Sequence, residues 1–366
     1  MAVRYATYNY QNLYGTSYND SLYNYGYRGV RFYGYSGNDY LYNAGMYSYA
    51  YAGAGNDTII SSGSRSFIDG DSGNDLISLT ASSTNTTIRY YGTEGNDKIY
   101  GFNSDDVLNI AQGTISRSRR SGSNLILTVG SGTVSLMGVG NRSLDIRQTL
   151  NATRSRSVVT GGEFNDIMYA NGWASVTMNG GAGNDSIYAS GTRNRANGGA
   201  GNDFIYSYGT YATIDAGTGN DTIRSYGNYS SINAGDGNDT IYSSGTQNRV
   251  IAGNGNDSIY SSGQYSTVNA GTGNDTIQSY GKYSSINSGD GNDSIYSYNG
   301  DRSTIIAGYG NDRIYLNDVD SSRIDAGYGN DSVYNYYGYY TSISGGYGND
   351  TIKNERTINV SINGGT

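Results

Sequence analysis

The chain of 366 residues contains no cysteine, no histidine and no proline, and each absence removes a class of answers. Without cysteine there is neither a disulfide framework nor a thiolate metal site. Without histidine the usual general base, the Ser/His and Cys/His nucleophile pairs and the commonest transition-metal ligand are gone. The chain is therefore expected not to be an enzyme. No apolar run is long enough for a membrane span, and Met1-Ala2-Val3-Arg4-Tyr5 opens without the apolar stretch of a classical signal peptide. A formal net charge of -8 leaves no broad basic face, so nucleic acid is not an expected partner. Large aromatics other than tyrosine are scarce, with five Phe and one Trp.

What remains is unusual in the opposite direction. There are 56 glycines and 41 tyrosines, and only 36% of residues are hydrophobic, so the core must be thin and repetitive. The tripeptide Gly-Asn-Asp recurs with its aspartate at Asp39, Asp57, Asp75, Asp97, Asp185, Asp203, Asp221, Asp239, Asp257, Asp275, Asp293, Asp312, Asp331 and Asp350. Asp20 and Asp166 close looser copies. From Asp185 to Asp293 each step is 18 residues, and the steps to Asp312, Asp331 and Asp350 are 19.

Each unit divides into two nines, as in Ala234-Gly235-Asp236-Gly237-Asn238-Asp239-Thr240-Ile241-Tyr242 followed by Ser243 to Ile251. Aliphatic residues fall nine apart at Ile223, Ile232, Ile241, Val250 and Ile259. Because side chains alternate faces along a strand, Ile241 points inward while Thr240 and Tyr242 point outward. Two three-residue strands joined by glycine turns cannot bury one aliphatic residue each unless copies stack. The spacing predicts an all-β fold, a right-handed parallel β-roll or β-solenoid with 18–19-residue turns, interrupted by an inserted antiparallel β-hairpin module. The expected organisation is β-roll repeats over 1–102, an inserted hairpin segment over 103–159 and β-roll repeats over 160–366.

The first nine of each unit fits the pattern G-G-x-G-x-D-x-U-x, and on these residues, over about 10–102 and 160–355, the chain resembles the haemolysin-type (repeats-in-toxin) calcium-binding β-roll family. Calcium suits the residue types: glycine turns expose carbonyl oxygens and each aspartate adds a hard anionic one. The resemblance implies several calcium ions between like turns of successive coils, held by the sixteen aspartates named above from Asp20 to Asp350. The second nine has Ser230, Asn248 or Ser266 in place of aspartate, so only one edge should bind calcium. Position five is Asn, which lowers the charge of each site and predicts modest affinity, ~10⁻⁴ to 10⁻³ M. Filling every gap would overbalance the net charge of -8, so partial occupancy is expected. The alternative is an Asx-turn ladder with no metal at all.

Three further features bear on partners. The interruption contains Val107 to Ile110, Leu125 to Val129 and Thr133 to Met137, which read as longer strands with hairpin turns. It also carries Arg117, Arg119 and Arg120, a dock for an acidic partner or another copy, or equally a solubilising cluster. Tyr188, Tyr206, Tyr242, Tyr260 and Tyr296 should form an outward stripe broken by Arg224 and Gln278, either stacking turn on turn or binding glycans. Repeat-like sequence runs to both ends, so head-to-tail self-assembly is expected. The leading expectation is a secreted, extracellular or cell-surface calcium-binding structural protein, a filament or surface-layer subunit exported without a classical signal. The alternative is a calcium-stabilised adhesin or biofilm-matrix module that binds glycans. Ice binding is disfavoured because the residue between the turn glycines varies from Thr218 to Asp236 to Tyr309. A polysaccharide lyase or epimerase lacks a visible catalytic domain.

Overall fold

Alternation along each short strand settles which side chains the chain hides. In the computed structural model, which describes residues 1–92, 95–140, 142 and 144–365, Ile241 is fully buried between half-buried Thr240 and exposed Tyr242. The same burial of the central aliphatic recurs from repeat to repeat. The chain forms two compact units, Met1–Leu150 and Asn151–Thr366. No helix occurs among the described residues.

Each unit is a parallel β-solenoid in which one strand of a turn pairs with its counterpart in the next. In the second unit one sheet runs from Asn165–Tyr169 to Thr351–Glu355 and the other from Val158–Gly162 to Ser361–Asn363. The register is strict: Ile223 pairs with Ile241 and Ile241 with Ile259 on one sheet, Ile232 with Val250 and Val250 with Val268 on the other. The core is these two aliphatic columns plus small buried residues such as Ala234, Ala252 and Ser243. Strands are longer than the expected three residues, with four in Thr240–Ser243 and six in Ser231–Asp236. The small residue two positions past the aliphatic also faces inward, and this lets pairing continue into the glycine turn.

The change from 18 to 19 residues has a local cause. Ser279 still pairs with Ser297, but Ser284 donates its backbone N–H to the Ser303 hydroxyl nineteen residues on. The extra residue is Asn299, followed in later turns by Asp318, Tyr337 and Arg356, all with left-handed φ between 53° and 62°. Each is absorbed on the turn without the Gly-Asn-Asp tripeptide, so the Asp turns keep their shape.

In the first unit the interruption is woven into the coil. Val107–Gln112 pairs parallel with Thr87–Tyr91, and Gly132–Met137 pairs parallel with Asn96–Tyr100, as the next repeat would. The antiparallel part is the addition of Ile115–Ser121 and Asn124–Val129 beyond Gly132–Met137. Longer side chains fill its interior, among them Tyr90, Phe102, Leu108, Leu127 and Leu136. Arg117, Arg119 and Arg120 are exposed on Ile115–Ser121, the outermost strand of that sheet. Charges on an edge strand oppose pairing with a further strand.

Candidate metal centre

Two glycines shape the Asp turns from Asp185 to Asp350. Gly235 and Gly237, for example, have φ of 115° and 140°, and a Cβ on either would lie 1.9 Å from the carbonyl oxygen of Gly217 or Gly219 one turn earlier. Only glycine permits that φ together with so close a stacking of turns. The chain then passes through Asn and Asp into the next strand.

These two residues form ladders that run in opposite directions. Each Asp N–H donates to the Oδ1 of the aspartate one turn later, at 2.6–2.9 Å from Asp20 to Asp97 and from Asp166 to Asp350. Each Asn N–H donates to the Oδ1 of the asparagine one turn earlier, as from Asn238 to Asn220 at 2.7 Å. The invariance of Asn at position five therefore has a structural reason that the sequence did not disclose: the amide oxygen is a rung-to-rung acceptor, exposed and uncharged.

The aspartates are buried. Asp57, Asp185, Asp221, Asp239, Asp275 and Asp312 are each 1% exposed. One oxygen takes the ladder hydrogen bond, but Oδ2 of Asp39, Asp57, Asp185, Asp203, Asp221, Asp239, Asp257, Asp275, Asp312 and Asp331 is buried without a partner. A Cβ on Gly34, Gly180 or Gly198 would sit 2.0–2.4 Å from the Oδ2 of Asp39, Asp185 or Asp203. The same Cβ would sit within 2.5 Å of a carbonyl oxygen of the next turn. An anionic oxygen and a backbone carbonyl oxygen thus share the small space beside each of these glycines. Five residues before the aspartate the chain is Gly, Ala or Ser throughout this series, as at Ala216, Ala234 and Ser288.

Burying a carboxylate with an unmatched oxygen is costly, and the cost shows in the acidities. Burial pushes Asp39, Asp203 and Asp275 up to about 6, Asp57, Asp97, Asp221, Asp257 and Asp312 up to about 7, and Asp185 up to about 8, against the partial relief of the ladder hydrogen bond. Asp239, Asp293 and Asp331 are raised for the same reason. Two opposing oxygens and no donor are what a hard cation fits. The residues present suit calcium, which would supply the positive charge that lets the column ionise at neutral pH. Among the described residues no three acidic side chains gather as a metal group, so most oxygens for an ion would come from the backbone.

Asp20 stands apart. Burial raises it, but the Thr16 hydroxyl and the N–H groups of Thr16 and Ala2 outweigh that and hold it below the usual carboxylate range. Its charge is met by the protein itself. Asp350 is half-buried, with its Oδ2 also lacking a hydrogen bond.

The tyrosine stripe is present: Tyr188, Tyr206, Arg224, Tyr242, Tyr260, Gln278 and Tyr296 are in register on successive strands. Its rings are tilted rather than face to face, by 56° for Tyr188 with Tyr206 and 41° for Tyr242 with Tyr260. Parallel stacking occurs on this column only outside the run from Tyr188 to Tyr296, in Tyr169 with Tyr188 and Tyr315 with Tyr334, and on other columns. Tyr211 with Tyr229 and Tyr265 with Tyr283 stack at 4.9 and 4.8 Å with left-handed backbones. Tyr309, Tyr328 and Tyr347 stack on the Asp edge. The recurring Gly-Tyr-Gly at these positions was the available signal for this last column.

A family model for the RTX calcium-binding nonapeptide repeat matches residues 51–81, 89–114, 177–208, 213–228, 230–259, 244–277, 269–303 and 302–318, more than half of the chain. The chain belongs to this family. In this RTX chain the match at 89–114 reaches into the interruption, where Val107–Gln112 indeed continues the coil. No curated protein matches it. Among the described residues no helix is long and apolar enough to cross a membrane, which says nothing of a β-barrel.

Proposed function

We propose that this RTX protein is an extracellular structural scaffold whose solenoid is completed by calcium along its Asp edge and which assembles with further copies of itself. The observation that carries the scaffold reading is the column of buried Oδ2 atoms without partners, as at Asp185, Asp203, Asp221, Asp239, Asp257 and Asp275, with a backbone carbonyl oxygen beside that oxygen at Gly34, Gly180 and Gly198. One such oxygen is a local defect, but a column of them is a design that needs a counter-charge at every few ångströms. Cytosolic calcium is far below the modest affinity that one carboxylate per turn allows, whereas extracellular calcium is in the right range.

Self-assembly is supported by the outermost strands. Among the described residues Val3–Tyr5 pairs with one strand, Ser21–Asn24, and Ser361–Asn363 with one strand, Ser342–Ser344, and a strand edge of this kind is a template for pairing with another chain. Electron microscopy and circular dichroism of the full chain, in millimolar calcium and in excess chelator at pH 7.5, test both parts. The expected result is end-to-end assemblies with calcium, and single particles whose β-signal melts at a lower temperature in chelator. Single particles with the same melting in both conditions would overturn the proposal.

A further inference from the structure

We propose that the last turns carry a binding site for a neutral, extended β-linked glycan, a role beyond scaffolding. The site is a groove of about 450 Å³, a volume typical of ligand sites. One wall is the stack of Tyr309, Tyr328 and Tyr347, with ring centroids 4.8 and 4.7 Å apart and exposures of 59, 47 and 57%. The opposite wall is Ile306, Asp325, Ser344 and Asn363, and the floor is glycine. The floor cannot be filled by a larger residue: a Cβ on Gly327 or Gly346 would meet the carbonyl oxygen of the preceding turn at 2.1 or 1.9 Å.

The groove differs sharply from the rest of its own sheet. Upstream, the same two columns satisfy their own polar groups. Asn197 donates to Asn179 and Asn233 to Asp215 on one, while Asn254 donates to Asp236 and Thr272 to Asn254 on the other. At the groove both ladders stop. The second column becomes tyrosine, and on the first the Asp325 carboxylate and Ser344 hydroxyl have no hydrogen-bond partner among the described residues. Asn363 accepts from the Gly365 N–H and keeps its amide NH₂ free. The tyrosine faces are turned to one another, at 11° and 9°, so the wall presents ring edges and phenol hydroxyls, and these with the unpaired acceptor, hydroxyl and amide groups opposite can hydrogen-bond the hydroxyls of a sugar chain.

Charge selects among sugars. No Lys or Arg lines the groove and Asp325 does, which disfavours an acidic polysaccharide. The floor follows the straight stacking axis over four glycines, Gly308, Gly327, Gly346 and Gly365, at a rise of about 4.8 Å per turn. A ribbon-like chain of several hexoses fits that path better than a compact ligand.

Calorimetric titration of the full chain in millimolar calcium with cellohexaose, and separately with polygalacturonate, tests the proposal. Cellohexaose is expected to bind, and Tyr328→Ala to weaken it by about tenfold or more. Asp325→Ala, an outward position whose loss leaves the core intact, should weaken it by a similar factor. Tyr260→Ala, on the other sheet, should leave it unchanged. Absence of binding to the folded chain, equal loss from all three variants, or tighter binding of polygalacturonate would overturn it. Circular dichroism of each variant separates loss of the groove from loss of fold, and hence from failure of the calcium scaffold reading.

Discussion

The two turn edges of the second unit do the same geometric task with different chemistry. On the Asp edge the N–H of Asp203 is met by Asp221 Oδ1 at 2.7 Å. On the other edge the N–H of Ser230 is met by Asn248 Oδ1 at 2.8 Å, and those of Ser284 and Ser303 by the hydroxyls of Ser303 and Ser322 at 3.1 and 3.0 Å. Neutral side chains therefore suffice to link one turn to the next. The carboxylates add a buried negative charge that the hydrogen bond does not need, and pairs of positive-φ glycines such as Gly235 and Gly237 belong to that edge. An Asx-turn ladder accounts for one edge and leaves the charge of the other unexplained.

The largest expected effect of this difference is on pH dependence without metal. Folded aspartates raised to about 6–8, against about 3.9 unfolded, bind more protons folded than unfolded between those values. Their contribution is fully present below about pH 4 and is lost as pH rises through 6 to 8. Thermal melts in chelator should thus show a more stable solenoid at pH 5 than at pH 8, with millimolar calcium removing most of the difference. A melting temperature independent of pH in chelator would mean that the Asp edge carries no more charge cost than its neutral counterpart.

Ile241→Ala should cost about 2–5 kcal/mol in calcium and in chelator alike, because Ile241 is fully buried in the aliphatic column that both edges share. Chemical denaturation reads this, and a calcium-dependent cost would mean that the core is not independent of the edge. Asp239→Asn keeps the ladder acceptor and removes the charge. It should destabilise by about 1–3 kcal/mol in calcium and stabilise in chelator at pH 8. The mirror change, Asn248→Asp, should destabilise in both conditions, since that turn has no glycine pair to bring carbonyl oxygens to an ion. Smallest is Tyr229→Ala, which removes the stack on Tyr211 and should cost about 0.5–1.5 kcal/mol in either condition.

Much of this architecture is legible in the sequence because the repeat is strict. Ile223, Ile241 and Ile259 fall on one buried column as their spacing requires, and Ser230, Asn248 and Ser266 occupy the edge without aspartate. What was not legible depends on neighbours in space. Nothing in Ser17-Tyr18-Asn19-Asp20 tells that Thr16 and Ala2 satisfy that carboxylate, or that Asn238 reaches back to Asn220. The antiparallel strand at Asn124–Val129 follows from its apolar residues, Leu125 to Val129; its partner Ile115–Ser121 does not, because after Ile115 it holds only serine and arginine. That Val107–Gln112 and Gly132–Met137 continue the coil does not, because their Val and Leu residues replace the glycine-rich signature while keeping its pairing. The groove leaves no mark in the sequence because its polar groups differ from those upstream only in lacking partners.

The proposed scaffold depends on an Asp column that takes up calcium in place of protons. Calorimetric titration of calcium into the metal-free chain at pH 7, in two buffers of different ionisation enthalpy, measures both at once. Several ions bound per chain with net release of protons is the predicted result; no binding at millimolar calcium, or binding without proton release, would contradict it.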